Sequence, residues 1–303
     1  MIVVVCPGQG SQTPGFLAPW LELDGAAERI AAFSESAGVD LAAHGTESDA
    51  DTIRDTRIAQ PLIVAASILA WERLTDGGAR PAGVAGHSVG EIAALVAAGV
   101  IDAAAGMRLV GVRGRAMADA AGRVETGMSA VVGGDAERVL QAISDAGLAA
   151  ANHNGAGQIV AAGELAGLAA LAERAPRGSR VIPLQVAGAF HTPFMDPARE
   201  ALQAAVDEID RVADPELTLW SNSDGGAVDS GTRALRLIVQ QMVSPVRWDL
   251  CMESFAAGGV TGIVELAPAG ALTGLAKRAL RGVPSVAVKT PDDLTAAREL
   301  LAA

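Results

Sequence analysis

Tyrosine is missing from this chain altogether, and four tryptophans and five phenylalanines leave aromatics at only 3% of the residues. A core without many rings must be filled by small side chains, which lets helices sit close on a sheet. Half of the residues are hydrophobic, much of that Ala and Val, so the composition predicts a dense α/β layer structure. Cysteine is nearly absent too: Cys6 and Cys251 both lie in apolar runs, give no disulfide framework and no metal spacing, and read as buried free thiols of a cytosolic protein. No cofactor is implied. Positive charge is short, with 23 Lys and Arg against 35 Asp and Glu, and the net charge of -12 argues against nucleic acid or an anionic membrane as partner. No uninterrupted apolar run could span a bilayer. The opening MIVVVCPG lacks a basic segment and reads as a first strand, not as a signal peptide.

What the chain does contain is a nucleophile elbow. Gly86-His87-Ser88-Val89-Gly90 is a GxSxG sequence, preceded by the apolar run Gly83-Val84-Ala85 and followed by the helical spacing of Ile92, Leu95 and Val96. Strand, sharp turn and helix are the context this motif requires. Glycine is needed on both sides because the turn brings strand and helix backbones together, where a Cβ would collide. Ser88 then stands at a helix N-terminus, where unpaired N–H groups favour developing negative charge.

At 303 residues the length fits one large α/β domain or a domain with an inserted subdomain. Residues 2–6 read as a strand buried on both faces, ending in the loop Pro7-Gly8-Gln9-Gly10-Ser11-Gln12. In open α/β sheets ligands bind at that carboxyl edge. Helical spacing follows over 26–37 and 58–74, with Pro61 in the first turn of the second helix, and after the elbow over 103–118. From about 126 to 189 the order becomes βαββαβ, the ferredoxin-like pattern, read as a subdomain inserted between 1–125 and 190–303. Beyond it Asp196-Pro197 predicts a helix start with the aspartate as N-cap, running to about 212. Strands at 216–220, 260–266 and 285–288 alternate with helices and complete a doubly wound core.

A serine needs a base, and only His44, His87, His153 and His191 are available. His87 adjoins Ser88, but neighbouring side chains diverge at a sharp turn, which leaves it a packing role. His44 lies in the polar, acidic stretch HGTESDAD and reads as solvated loop, and His153 sits between two asparagines at a strand end. His191 lies where the inserted segment rejoins the core, a kind of junction that commonly forms a cleft, and it ranks first. The alternative for His191 is a core histidine beside Phe190.

PGQGSQ at 7–12, GHSVGE at 86–91, VRGR at 112–115, NHNGAGQ at 152–158, GAFHTPFM at 188–195, QMVSPVRW at 241–248 and LTGLAKR at 272–278 follow one another in an order that resembles the malonyl-CoA:acyl carrier protein transacylases. It is similar also to the acyltransferase domains of polyketide and fatty acid synthases. The resemblance covers nearly the whole chain. It implies a hydrolase-like, mostly parallel core with an inserted ferredoxin-like subdomain. It further implies Ser88 as the acylated nucleophile, His191 as its base, Gln9 and the Val89 N–H as the oxyanion hole, Arg113 as the holder of the substrate carboxylate, and Phe190, Asn154 and Gln241 as pocket residues. The base would be oriented by a backbone carbonyl near Gln241 in place of a carboxylate. Departures are Ala156 where proline is usual, Ser244 where asparagine is common, and Ala267-Pro268-Ala269-Gly270 in place of a Gly-Pro-Gly loop.

The implied reaction transfers malonyl from malonyl-CoA to the phosphopantetheine thiol of acyl carrier protein through a malonyl-serine, in fatty acid or polyketide synthesis. No nucleic acid and no membrane take part, and a discrete cytoplasmic monomer is expected. The ring of Phe190 would crowd an α-methyl branch. Carrier proteins are acidic, so docking would use Lys277, Arg278 and Arg281 or Arg174, Arg177 and Arg180, unless these are only solvated helix faces. A serine thioesterase or esterase is the alternative enzyme; such hydrolases usually carry their histidine near the C-terminus, and here more than a hundred residues follow His191. A non-catalytic scaffold is the third reading.

Overall fold

The computed structural model describes residues 1–78 and 80–303. The chain opens with β1 (Ile2–Cys6), followed by α1 (Ala18–Leu21), α2 (Ala26–Ala37), α3 (Leu41–Thr46) and α4 (Thr56–Thr75). Next come β2 (Gly83–Gly86), α5 (Gly90–Ala97) and α6 (Ala103–Ala121), and then β3 (Thr126–Gly133), α7 (Ala136–Asp145), β4 (Ala149–Gly155), β5 (Gln158–Glu164), α8 (Leu165–Glu173) and β6 (Ser179–Pro183). The remainder is α9 (Arg199–Asp207), β7 (Thr218–Trp220), β8 (Ala227–Val228), α10 (Gly231–Gln241), β9 (Val246–Arg247), α11 (Trp248–Ala257), β10 (Gly262–Glu265), α12 (Ala271–Ala279), β11 (Ser285–Ala287) and α13 (Leu294–Ala302). This is a mixed α/β structure with two sheets.

The larger sheet runs β11-β10-β1-β2-β7-β8. Its strands are parallel except β8, which returns antiparallel to β7. β1 is at the centre, buried along its whole length, as its unbroken β-branched run requires. The smaller sheet runs β6-β3-β5-β4-β9, antiparallel over its first four strands. Its fifth strand, β9, comes from far along the chain and pairs parallel with β4 through Asn152 with Val246 and His153 with Arg247.

Close approach replaces large side chains as the packing device. On α6 a Cβ at Gly111 would lie 2.3 Å from the carbonyl oxygen of Ala37, and one at Gly114 2.9 Å from that of Thr56. The two glycines therefore seat α6 directly against the end of α2 and the start of α4. Three of the nine aromatic rings cluster with His87: His87, Trp248, Phe255 and Trp220 stack edge to face at centroid distances of 5.0 to 5.9 Å.

Four local expectations are corrected. Asp196 does not cap a helix: Thr192 accepts from the N–H of Phe194, and Pro193–Ala198 form a 3-10 turn before α9. Prolines at 193 and 197 lack the donors an α-helical ladder needs there, and Asp196 pairs with Arg199 at 3.0 Å instead. α9 ends at Asp207, not near 212, because Asp207, Glu208 and Asp210 crowd an end whose dipole disfavours negative charge. Asp55 starts α4 early by accepting from the N–H of Arg57, so Pro61 falls in the second turn. His44 lies on α3, capped by Asp40, with its Nδ1 2.9 Å from Ser48 Oγ.

At the elbow, a Cβ on Gly90 would lie 2.2 Å from the carbonyl oxygen of Cys6 and 2.7 Å from that of Pro7. Gly90→Ala should therefore cost roughly 3 kcal/mol or more in denaturant unfolding. Gly274→Ala in α12, which would meet nothing within 4 Å, should be neutral or stabilising by up to ~1 kcal/mol. Equal midpoints for the two variants would contradict the close approach.

Candidate active site

Ser88 occupies the turn between β2 and α5 with a φ of 54°, and His191 has a φ of 60°. Only two other non-glycine residues among those described, Ala156 and Ala269, adopt positive φ. Backbone strain is thus concentrated on the two residues that meet here. The Oγ of Ser88 lies 2.7 Å from Nε2 of His191, and the ring's Nδ1 lies 2.8 Å from the backbone carbonyl oxygen of Gln241. That carbonyl can only accept, so Nδ1 carries the proton and Nε2 is left bare to accept from the serine hydroxyl. Among the described residues no carboxylate bonds the imidazole.

The strained serine is held at both of its peptide groups. Its N–H donates to Asn222 Oδ1 at 2.7 Å, and its carbonyl accepts from Gln241 Nε2 at 3.0 Å. The N–H groups of Val89 and Gln9 donate to no acceptor among the described residues. The two lie on adjacent turns: a Cβ on Gly8 would meet His87 at 2.9 Å, and Gly90 rests on Cys6 and Pro7. The Gln9 side chain turns away, its Nε2 reaching the carbonyl of Arg54 and Thr56 Oγ1, each at 3.3 Å. Beside those partners a cleft of about 520 Å³ opens between residues 51–57 and the linker 184–187.

Arg113 enters from α6 between the two packing glycines and is fully buried. It donates to Gln60 Oε1 at 2.7 Å and to Gln241 Oε1 at 2.8 Å, and the latter nitrogen lies 3.5 Å from Ser88 Oγ. All these partners are neutral, and Nε has none among the described residues. Burial lowers the guanidinium to about 10, opposed by the charge of Glu91, and it stays protonated at neutral pH. Burial also holds His191 down to about 3, assisted by the positive charge of Arg113 and opposed by the Gln241 carbonyl. Glu91 is buried beside them and pushed up to about 7 by desolvation, against the N–H of Asn222, the amide of Gln241 and the charge of Arg113.

The structure thus brings Ser88, His191, Arg113 and Gln241 into one network, with the free N–H of Val89 at the elbow. Phe190 is buried directly before His191. Asn154 lies elsewhere: its Oδ1 is 2.9 Å from His87 Nε2, and it donates to Gln158 at 3.1 Å, so it sets the His87 ring behind the elbow. His153 is partly exposed, and the basic clusters at 277–281 and 174–180 are at the surface. Sequence reasoning missed Gln60, Glu91 and Asn222. Glu91 could have been noticed as the one acid on an otherwise apolar helix, GEIAALVA. Asn222 and Gln60 carry no such signal.

A hydroxyl on a bare imidazole nitrogen, free N–H groups beside it and a buried cation 3.5 Å away make up a site of the serine acyl-transfer type. The sequence model of the acyl transferase domain matches residues 3–293. A malonyl CoA-acyl carrier protein transacylase of Mycobacterium tuberculosis is 52% identical over 297 residues, covering 97% of this chain and 98% of the relative. Its counterpart in Escherichia coli is 35% identical over 311 residues, covering 98% of each. Among solved structures, MCAT from M. tuberculosis superposes with a TM-score of 0.95 at 52% identity, covering 98% of this chain and 99% of that one. A malonyl-transacylase in complex with a type II PKS acyl-carrier protein gives 0.91 at 31% identity, covering 98% and 99%. The chain belongs to the acyl transferase family and, within it, to the malonyl-CoA:acyl carrier protein transacylases.

A histidine held below its ordinary 6.5 contributes stability that is complete above that pH and is lost as pH falls toward 3, because the unfolded chain takes up the proton first. The melting temperature of the wild type should therefore fall more steeply between pH 6.5 and 4 than that of His191→Asn. Parallel curves would show that the ring is not held neutral by the fold.

Proposed function

We propose that this enzyme moves malonyl from malonyl-CoA to the phosphopantetheine thiol of acyl carrier protein through a malonyl ester on Ser88, in the cytoplasm. The observation that carries the reading is the Arg113 nitrogen 3.5 Å from a serine oxygen that is itself 2.7 Å from a neutral imidazole. In the first half-reaction Ser88 Oγ attacks the thioester carbon as its proton passes to His191 Nε2. The oxyanion is held by the N–H groups of Val89 and Gln9, an effect worth roughly 3 to 4 kcal/mol per donor in comparable sites. The carbon–sulfur bond breaks, and coenzyme A leaves with the proton from His191. In the second the carrier thiol gives its proton to His191 and attacks the ester. Ser88 regains the proton as its bond to the malonyl group breaks.

Arg113 selects the acyl group. The free carboxylate of malonyl pairs with the guanidinium, whereas acetyl would leave a buried cation unpaired. The same pairing acts on the base, since a carboxylate on Arg113 offsets the charge that helps hold His191 down, and the imidazole becomes a better proton acceptor when malonyl is in place. Phe190 is read as the ring that crowds an α-methyl branch, and Asn154 as a pocket residue acting through His87. The parallel order of the larger sheet supports a hydrolase-like, doubly wound core over 1–125 and 190–303. The antiparallel order β6-β3-β5-β4 supports a ferredoxin-like subdomain over 126–189.

Intact-mass measurement after mixing with malonyl-CoA should give a malonyl adduct that needs Ser88, persists in water and moves to phosphopantetheinylated carrier protein. An adduct that hydrolyses without transfer would make the enzyme a thioesterase, and no adduct would remove the catalytic reading. Arg113→Ala should lower kcat/KM for malonyl-CoA about 100-fold or more, the loss expected when a buried charge pair of ~3 kcal/mol is removed, and leave acetyl transfer unchanged or faster. Unaltered malonyl kinetics would refute the role.

A further inference from the structure

Glu91 sits in the first turn of α5, only 5% exposed, and touches neither Ser88 Oγ nor His191. Its two carboxylate oxygens are divided between two amide residues. Oε1 accepts from the backbone N–H of Asn222, and Oε2 accepts from Gln241 Nε2. Each of those residues in turn holds part of the reacting group. Asn222 takes the N–H of Ser88 on its Oδ1 and gives its Nδ2 to the carbonyl of Gly86, both at 2.7 Å. Gln241 gives its Nε2 to the carbonyl of Ser88 and presents Oε1 to Arg113.

An amide can be turned end for end, and its neighbours decide which way it stands. Nε2 of Gln241 faces two acceptors, the Glu91 carboxylate and the Ser88 carbonyl, while Oε1 faces a guanidinium. Turning it over would set NH2 against the cation and oxygen against the carboxylate. The carboxylate also lies across the Gln241 amide from the buried charge of Arg113, so opposite charges polarise the amide in the direction it already points. A carboxylate in an otherwise apolar helix is costly to bury, and the fold of α5 alone gives it no purpose.

On the malonyl-transfer reading above, we infer that Glu91 is a positioning residue for the reaction: through Asn222 and Gln241 it fixes the strained main chain of Ser88, and through Gln241 it aims Arg113 at the substrate carboxylate. Its loss has two separable effects. Loosening the serine slows attack on any thioester. Releasing Arg113 weakens only acyl groups that carry an anion.

The decisive variant is Glu91→Gln, which keeps size and shape but must turn its own NH2 toward either Gln241 Nε2 or the N–H of Asn222, one donor against another. Full-length wild type and variant are mixed with malonyl-CoA and, separately, with acetyl-CoA, and acylation of Ser88 is followed by mass. Malonylation should slow by about 10- to 100-fold, the usual scale for misplaced catalytic groups, with acetylation slowed less, so that the malonyl preference falls several-fold. KM should rise for malonyl-CoA alone. Should Glu91→Gln not fold, Glu91→Asp, which keeps the charge but retracts it, is read by the same ratio. Malonylation within twofold of wild type, or equal slowing of both substrates, would overturn the inference. A wild type that forms no malonyl adduct would instead overturn the malonyl-transfer reading, so the two failures are told apart.

Discussion

A guanidinium buried without a carboxylate against it is the constraint around which this structure is arranged. Arg113 is surrounded by amide oxygens that satisfy its hydrogen bonds but leave its charge uncompensated at contact distance. Such an arrangement is expensive unless an anion arrives. Its field reaches the imidazole, where it adds to desolvation in keeping the ring unprotonated, and it reaches the carboxylate of Glu91, where it opposes desolvation. The protonation of the imidazole and the ionisation of the buried acid are therefore aspects of one electrostatic balance. Gln241 is its mechanical centre, since its carbonyl, its amide oxygen and its amide nitrogen each hold a different member of the site.

Much of the fold was legible because its signals are local. The run IVVVC, the glycines of the elbow and the 3.6-residue spacing of α2 needed no tertiary knowledge. Where the sequence misled, a competing local interaction had won: Thr192 capped where Asp196 was expected to, and Asp55 drew α4 forward so that Pro61 fell inside it. Ser88 and Arg113 could be named because strong chemical types stand in a recognisable order. Asn222 could not, since an asparagine after a strand reads as a turn residue, and what makes it part of the site is a bond to a residue 134 positions away.

Scarcity of rings shaped the architecture as much as any motif. With few large side chains to spend, the chain lets backbones touch. Gly111 and Gly114 bring α6 onto its neighbours, and that contact carries Arg113 into the core within reach of Gln60. Three of the rings that do exist, Trp248, Phe255 and Trp220, stack in a row against His87, whose Nε2 Asn154 holds. A rigid backing for the elbow follows from placing the least compressible groups where strain is stored.

The two-residue strand Val246–Arg247 closes the smaller sheet from outside it. Excising residues 126–189 as a module would leave β4 with a bare edge, the kind of surface that recruits strands from other chains. The smaller sheet is thus completed by a strand from elsewhere in the chain, and exchanging residues 126–189 between relatives calls for moving the 246–247 segment with them.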